Sequence, residues 1–251
     1  MVDSPEYLVK RAFFDKVMTI YGRKAVMEAL QEEQLSIHKL HLSDSNKKAL
    51  VLDQMIEIAK KRLINIAYHD KKSLSRISKN AKQDQGVALD IVLEYFGDEE
   101  AFLEQNQSYR ILALDGVTNP QNLGMIIRSA AAGNIDAILL PGKGAAQISP
   151  LVIKASAGTL FRMPIIKTSS LSKTLKNFQN RGSKVYTLSS HAVNSYKEQN
   201  YVEKTIFVLG NESEGVSKAV EQLSDVQIVI PMNRSVESLN VAVTASLLAF
   251  L

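Results

Sequence analysis

Apolar positions along the chain recur in two alternating rhythms. In GRKAVMEALQEEQ (22–34), Ala25, Val26, Ala29 and Leu30 fall on one helical stripe, and SIHKLHLS (36–43) then alternates as a half-buried strand does. KKALVLDQMIEIAKKRL (47–63) predicts a second amphipathic helix with Leu50, Met55, Ile58 and Ala59 inward. LINIAY (63–68) predicts a short strand, KKSLSRISKN (71–80) a helix and GVALDIVLEYF (86–96) a strand, completing a compact α/β unit. GDEEAFLEQNQS (97–108) is acidic and polar, has no apolar period longer than one turn, and is where a domain boundary is expected. Beyond it, RILALDG, AILLPG, KVYTLSS, TIFVLGN and VQIVIPM are short runs rich in Val, Ile and Leu, separated by helical segments at 120–133, 149–157, 170–181 and 217–223. Buried parallel strands with crossover helices have this pattern, so the fold class is α/β. A last helix is expected from about Ser238 to Phe250, with Ser238 as its cap; its apolar surface is that of a helix packed in a core or a subunit interface.

With 45% hydrophobic and 22% charged residues over 251 positions, the composition is that of an ordinary globular protein. No window has the apolar length of a membrane span, and the start MVDSPEYLVKRAFF carries an early acid and proline where a signal peptide is basic and then apolar. A soluble cytoplasmic protein without a membrane partner is expected. The absence of cysteine removes thiolate chemistry. Of the four histidines (38, 41, 69 and 191), only His38 and His41 are close, and an i, i+3 pair on a strand points to opposite faces. They are expected to be ordinary, partly exposed residues, and no metal site is expected.

The net charge of +4 is unevenly spread, with 16 basic against 13 acidic residues through residue 96 and 14 against 13 beyond. Lys60, Lys61, Arg62, Lys71, Lys72, Arg76, Lys79 and Lys82 are opposed only by Asp70. Such a field suits a polyanion, although a solvated face has the same composition.

Ligands of α/β sheets sit beyond the carboxyl ends of strands, which directs attention to the loops there. VTNPQNLGMIIRSA follows RILALDG; Asn119-Pro120 is a turn and helix-start signal, Gly124 permits close approach, and Asn122 and Arg128 lie six apart. GNESEGVS follows TIFVL with two glycines bracketing two carboxylates. In IPMNRSVESLNVAVTASL (230–247), Ser235, Glu237, Ser238 and Asn240 crowd the join between a strand and an apolar helix, more polarity than a turn and a cap require. No G-x-G-x-x-G follows a strand, PGKGAAQ lacks P-loop spacing and no G-x-S-x-G surrounds a serine, which disfavours dehydrogenases, P-loop enzymes and serine hydrolases. Any one of the three loops alone has a structural explanation.

Together, LDGVTNPQNLGMIIRSAAAGN, FVLGNESEGVS and IVIPMNRSVESLNVAVTASL resemble the three signatures of the SpoU/TrmH family of RNA ribose 2′-O-methyltransferases, in order and spacing. KASAGTLFRMPI (154–165) is similar to the family's middle segment, and YGRKAVMEAL to the start of its L30e-like RNA-binding domain. The resemblance implies an L30e-like domain over 18–97, a SPOUT domain with a deep trefoil knot over 108–251, S-adenosylmethionine as cofactor, a homodimer and an RNA partner. Among RNAs, large-subunit (23S-type) ribosomal RNA is favoured over transfer RNA, whose methylases usually lack the front domain; a noncatalytic RNA-binding or ribosome-assembly protein is the rival from another class. By resemblance, Leu209, Gly210, Asn211, Ile230, Met232, Ser238, Leu239 and Asn240 bind the cofactor. Arg128, Asn122, Glu212, Ser238 and Asn240 form the catalytic set. Arg128 stabilises the developing alkoxide and grips a phosphate, because an arginine is almost never deprotonated. Arg23, Lys60, Lys61, Arg62, Lys71 and Lys72 are the expected RNA contacts. Two positions depart from the family pattern, Asn119 where many relatives have Asp and Thr159 where Ala is common.

Overall fold

The computed structural model of the protein describes residues 7, 13–14, 16–33, 35–79, 83–92, 96–97, 99–211 and 213–251, and the chain divides into compact units at 1–94 and 95–251. Lys82, Glu212 and residues 93–95 of the expected strand 86–96 lie outside the described residues.

The first unit runs β1 (Val17–Tyr21), α1 (Arg23–Gln31), β2 (Ser36–Ser43), α2 (Leu50–Lys61), β3 (Asn65–His69), α3 (Lys71–Ser78) and β4 (Val87–Val92). Its sheet has the order β1-β4-β2-β3; β4 is antiparallel to both neighbours and β3 parallel to β2. Val26, Ala29 and Leu30 bury one stripe of α1, and Leu52, Met55 and Ala59 one stripe of α2. Leu50, expected inward, is 75% exposed because it is the first residue of α2, half a turn from the stripe that Leu52 begins. Arg62 is spent locally: its guanidinium donates to the carbonyls of Leu30, Glu32, Glu33 and Leu35, satisfying the orphan acceptors where α1 ends.

Of the two histidines expected to be partly exposed, His38 is so and His41 is not. The β2–β4 register shifts between Ile37 and Lys39, so His38 sits at an irregularity that interrupts strict alternation. His41 is buried, 6% exposed, and bonded to Asp90 and His69.

The second unit runs β5 (Phe96–Gly97), α4 (Glu99–Gln105), β6 (Tyr109–Leu114), α5 (Pro120–Ala132), β7 (Ala137–Pro141), α6 (Pro150–Ala155), a 3₁₀ turn (Thr159–Phe161), β8 (Ile165–Thr168), α7 (Leu171–Asn180), β9 (Lys184–Leu188), β10 (Asn194–Ser195), β11 (Lys204–Leu209), α8 (Lys218–Glu221), β12 (Val226–Val229) and α9 (Val241–Ala249). The eight strands are ordered β10-β12-β9-β11-β6-β7-β8-β5, every pair parallel. From β6 the chain steps outward to β7 and β8, then crosses to β9, β11 and β12 on the other side, so strand order reverses beside β6. That reversal opens a crevice at the strands' carboxyl ends.

The polar stretch after residue 97 is not a bare connection. It forms α4, with Leu103 buried in the core cluster that includes Tyr109 and Phe178, and with Glu99 accepting hydrogen bonds from Asn177 and Thr174 on α7. The last helix starts later than expected: Asn240, not Ser238, caps it by accepting the Ala242 N–H at 2.9 Å. α9 packs on α5, where Ser129 and Ser246 share a 2.7 Å hydrogen bond and Asn134 N–H donates to Ala249 at 2.7 Å. Gly133 makes this contact feasible, since a Cβ there would lie 2.2 Å from the Ala249 carbonyl oxygen. Thr159 turns its hydroxyl onto the Ser156 carbonyl at 2.8 Å, a local bond that accounts for the departure from alanine. Among the described residues, no helix is long and apolar enough to cross a membrane.

Candidate active site

Three loops at the carboxyl ends of β6, β11 and β12 are tied by side-chain bonds to each other's backbone or side chains. Asn119 caps α5, its Oδ1 accepting from the N–H groups of Gln121 (2.8 Å) and Asn122 (3.2 Å), so the amide does the capping work of a carboxylate. Asp115 Oδ2 accepts from Ser217 N–H at 2.7 Å, and Asn211 Nδ2 donates to the Gly116 carbonyl at 2.9 Å. Both join the first loop to the second. Asn211 and Gly215 exchange two 2.9 Å backbone bonds that fold 211–215 back on itself. This is what requires glycine at 210: a Cβ there would lie 2.1 Å from the Gly215 carbonyl carbon and 2.3 Å from Val216 N. The close approach is to the chain's own loop. The third loop is joined to the first by Asn240 Nδ2, which donates to Asn122 Oδ1 at 3.1 Å.

The second and third of these loops, with the segment that follows β9, line a cavity of about 590 Å³. Leu209, Gly210, Asn211, Ile230, Met232, Ser238 and Leu239, all expected to bind cofactor, line it. Asn240 does not; its amide is occupied by the helix cap and Asn122. Asn122 is buried, 6% exposed, and Arg128 is exposed on α5; neither lines the cavity. Glu212 lies outside the described residues. Ser189, Ser190 and His191, which follow β9, also line the cavity and were not among the expected residues. The signal was present, because KVYTL ends in Ser-Ser-His as the other strands end in their loops.

The charge of the lining is one-sided. Glu214, Glu221 and Glu237 face the space, and no lysine or arginine lines it among the described residues. A ligand with positive charge suits such a wall, and the volume lies in the range of sites for ligands of small-molecule size.

In the first unit, Lys60, Lys61, Lys71, Lys72, Arg76 and Lys79 are exposed. Asp70 accepts from the Ser73 N–H (2.9 Å) and hydroxyl (2.8 Å), bonds that hold it below its ordinary carboxyl range, so it stands beside them as one negative charge. Arg62 serves α1 instead, and Arg23 donates from Nε to the Gln85 carbonyl at 3.3 Å.

A parallel sheet with a strand-order reversal, three linked loops and an acidic cavity define an α/β ligand-binding enzyme class, and comparison with known proteins narrows it. Residues 109–250 match the SpoU rRNA Methylase family, and residues 19–95 match the domain described as RNA 2′-O ribose methyltransferase substrate binding. YacO of Bacillus subtilis (strain 168), named for the TrmH family of tRNA/rRNA methyltransferases, is 30% identical over 235 residues, 92% of this chain and 93% of that protein. The crystal structure of the SpoU methyltransferase AviRb from Streptomyces viridochromogenes, in complex with AdoMet, has a TM-score of 0.73 at 20% identity, covering 96% of this chain and 90% of AviRb. The TrmH/SpoU tRNA modifying enzyme of A. aeolicus has a TM-score of 0.51 at 29% identity, covering 60% of this chain and 80% of that one. The chain belongs to the SpoU rRNA methylase family of RNA methyltransferases, and its fold is that of the SPOUT enzymes.

Proposed function

We propose that the protein transfers the methyl group of S-adenosylmethionine to a ribose 2′-hydroxyl of structured RNA, and that this RNA is large-subunit ribosomal RNA. The observation that carries the reading is the acidic cavity at the carboxyl ends of β9, β11 and β12, in a chain whose front third matches an RNA substrate-binding domain. When bound, S-adenosylmethionine supplies an electrophilic methyl group on a positively charged sulfur. Glu214 and Glu237 favour that charge, while Ile230, Leu239 and Val241 offer apolar surface to an adenine. Leu209, Gly210 and Asn211 bring backbone to the rim. Glu212 keeps the part that the family resemblance gives it, to accept hydrogen bonds or to help the proton leave.

Arg128 supplies fixed positive charge for the developing alkoxide and a neighbouring phosphate. Asn122 and Asn240 are positioning residues that join the first loop to the third. Because Arg128 lies on the exposed side of α5, outside the cavity lining, a second copy of the chain brings it to the reaction. Exposed Met125, one turn before Arg128, exposed Val243 on α9 and exposed Phe250 just past its end support a homodimer through these packed helices. Ribosomal RNA is favoured over transfer RNA because the likeness to the A. aeolicus tRNA modifying enzyme covers 60% of this chain, close to the share of residues 95–251.

Mapping 2′-O-methylation across total RNA from cells with and without the gene tests the reading. Loss of one mark in 23S-type RNA is expected. A lost transfer-RNA mark would overturn the substrate assignment, and a purified protein that ignores S-adenosylmethionine at saturation would overturn the activity.

A further inference from the structure

The loop between β12 and α9 carries a turn that its residues do not favour. The Asn233 carbonyl accepts the Val236 N–H at 3.2 Å, and the two residues between them, Arg234 and Ser235, have φ of 56° and 57°. Positive φ at both central positions defines a type I′ turn, whose usual occupants are Asn and Gly because a Cβ crowds the following carbonyl there. Arginine at the first of these positions costs conformational energy and packs no core in return. Arg234 is exposed, and its guanidinium has no hydrogen bond or ion pair among the described residues. Backbone strain of this kind clusters at ligand clamps and active sites.

The turn stands at the rim of the cavity. Met232 before it and Val236, Glu237, Ser238 and Leu239 after it line the space, while residues 233–235 do not. An RNA whose ribose enters presents a phosphate on each side of that sugar, and the wall it meets carries Glu214, Glu221 and Glu237 with no lysine or arginine among the described residues. Like charges brought together there oppose docking unless a cation at the mouth offsets them. The lysines and arginines within two positions of a lining residue are Arg234, beside Met232 and Val236, and Lys218, beside Val216. Lys218 opens α8 in ordinary helical backbone; Arg234 is the one held at a cost.

We propose that Arg234 is a substrate contact that grips an RNA phosphate at the cavity mouth, besides the one proposed for Arg128. The inference rests on the reading that this cavity serves RNA methylation, and adds to it the residue that offsets the acidic wall. An arginine fits the part because its planar fork pairs two phosphate oxygens at once and keeps its charge at any physiological pH. The turn fixes where the side chain leaves the backbone, so little of the loop has to be ordered when RNA docks. The carboxylate of the amino-acid tail of S-adenosylmethionine offers a guanidinium the same chemistry as a phosphate. Binding of the donor without RNA separates the two.

The test uses the full chain, S-adenosylmethionine and deproteinised total RNA from cells lacking the gene. Arg234→Asn removes the charge and suits the left-handed backbone. It is expected to raise the apparent KM for RNA about tenfold, the worth of one charge-assisted hydrogen bond, with kcat unchanged and the urea midpoint no lower. Filter binding of the same RNA should lose up to about one unit of log–log salt slope. Arg234→Lys, charged and equally strained, should keep that slope and most of the affinity, and Lys218→Ala should behave as wild type. Calorimetry without RNA should give the same donor affinity in all four proteins. A wild-type KM in Arg234→Asn, or an equal loss in Arg234→Lys or in Lys218→Ala, overturns the proposal. So does weaker donor binding in Arg234→Asn, which would give Arg234 to the carboxylate. A wild-type chain that methylates no RNA in the mixture counts instead against the proposed function.

Discussion

Gly210 has no room for a methyl group, since the chain doubles back to within 2.1 Å of where its Cβ would stand. Gly210→Ala must push the 211–216 loop out of place, and loss of measurable S-adenosylmethionine binding by calorimetry is the expected outcome. Asp90 permits a prediction with a definite sign. Its folded value lies below the ordinary 3.8, so the stability it contributes is full above about 3.8 and is lost as pH falls through the folded value. Asp90→Asn is expected to be less stable to urea by about 2 kcal/mol at neutral pH, a gap that narrows in acid below that range. At this scale the family resemblance was informative about the cavity: seven of the residues it offers to a cofactor line it. Asn122 and Asn240 were recognised as important, but their bond joins positions 118 apart in the chain, and no local pattern encodes it. His41 was misjudged because alternation along β2 is interrupted at His38.

Elements with a strong period were readable, and those made by context were not. The runs rich in Val, Ile and Leu became parallel strands because both faces of such a sheet are covered. α4 is only seven residues long, too short to show a period; it is stabilised by Leu103 in the core and by Glu99 against α7, partners far along the chain. β8 and β10 are four and two residues long, too short to carry a period. Arg62 illustrates how composition misleads at this scale, since a basic residue in a basic cluster is in fact the end piece of α1. Arg62→Ala is therefore expected to destabilise the chain to urea by about 2 kcal/mol, with four carbonyls losing donors. The double change Lys60→Ala/Lys61→Ala should leave the unfolding midpoint in place, weaken RNA binding and flatten its salt dependence by up to about two units of log–log slope.

For the whole molecule, the family signatures identified the fold, while the position of Arg128 outside the cavity lining makes the proposed assembly the place to test its role. If Arg128 acts on the cavity of a second copy, inactive variants should rescue each other. Arg128→Ala mixed in equal amounts with Leu239→Arg, refolded together, is expected to recover about a quarter of wild-type methylation, since half the two-fold dimers are mixed and each holds one complete site. Recovery of nothing, from a mixture shown by mass spectrometry to contain heterodimers, would require Arg128 to act within its own chain.

The bonds from Asn211 to Gly116, from Ser217 to Asp115 and from Asn240 to Asn122 need no ligand. Walls already assembled leave little chain to freeze at the moment of capture. Rapid-mixing fluorescence should accordingly give a single exponential whose rate climbs linearly with donor concentration, with no plateau from a slow opening step.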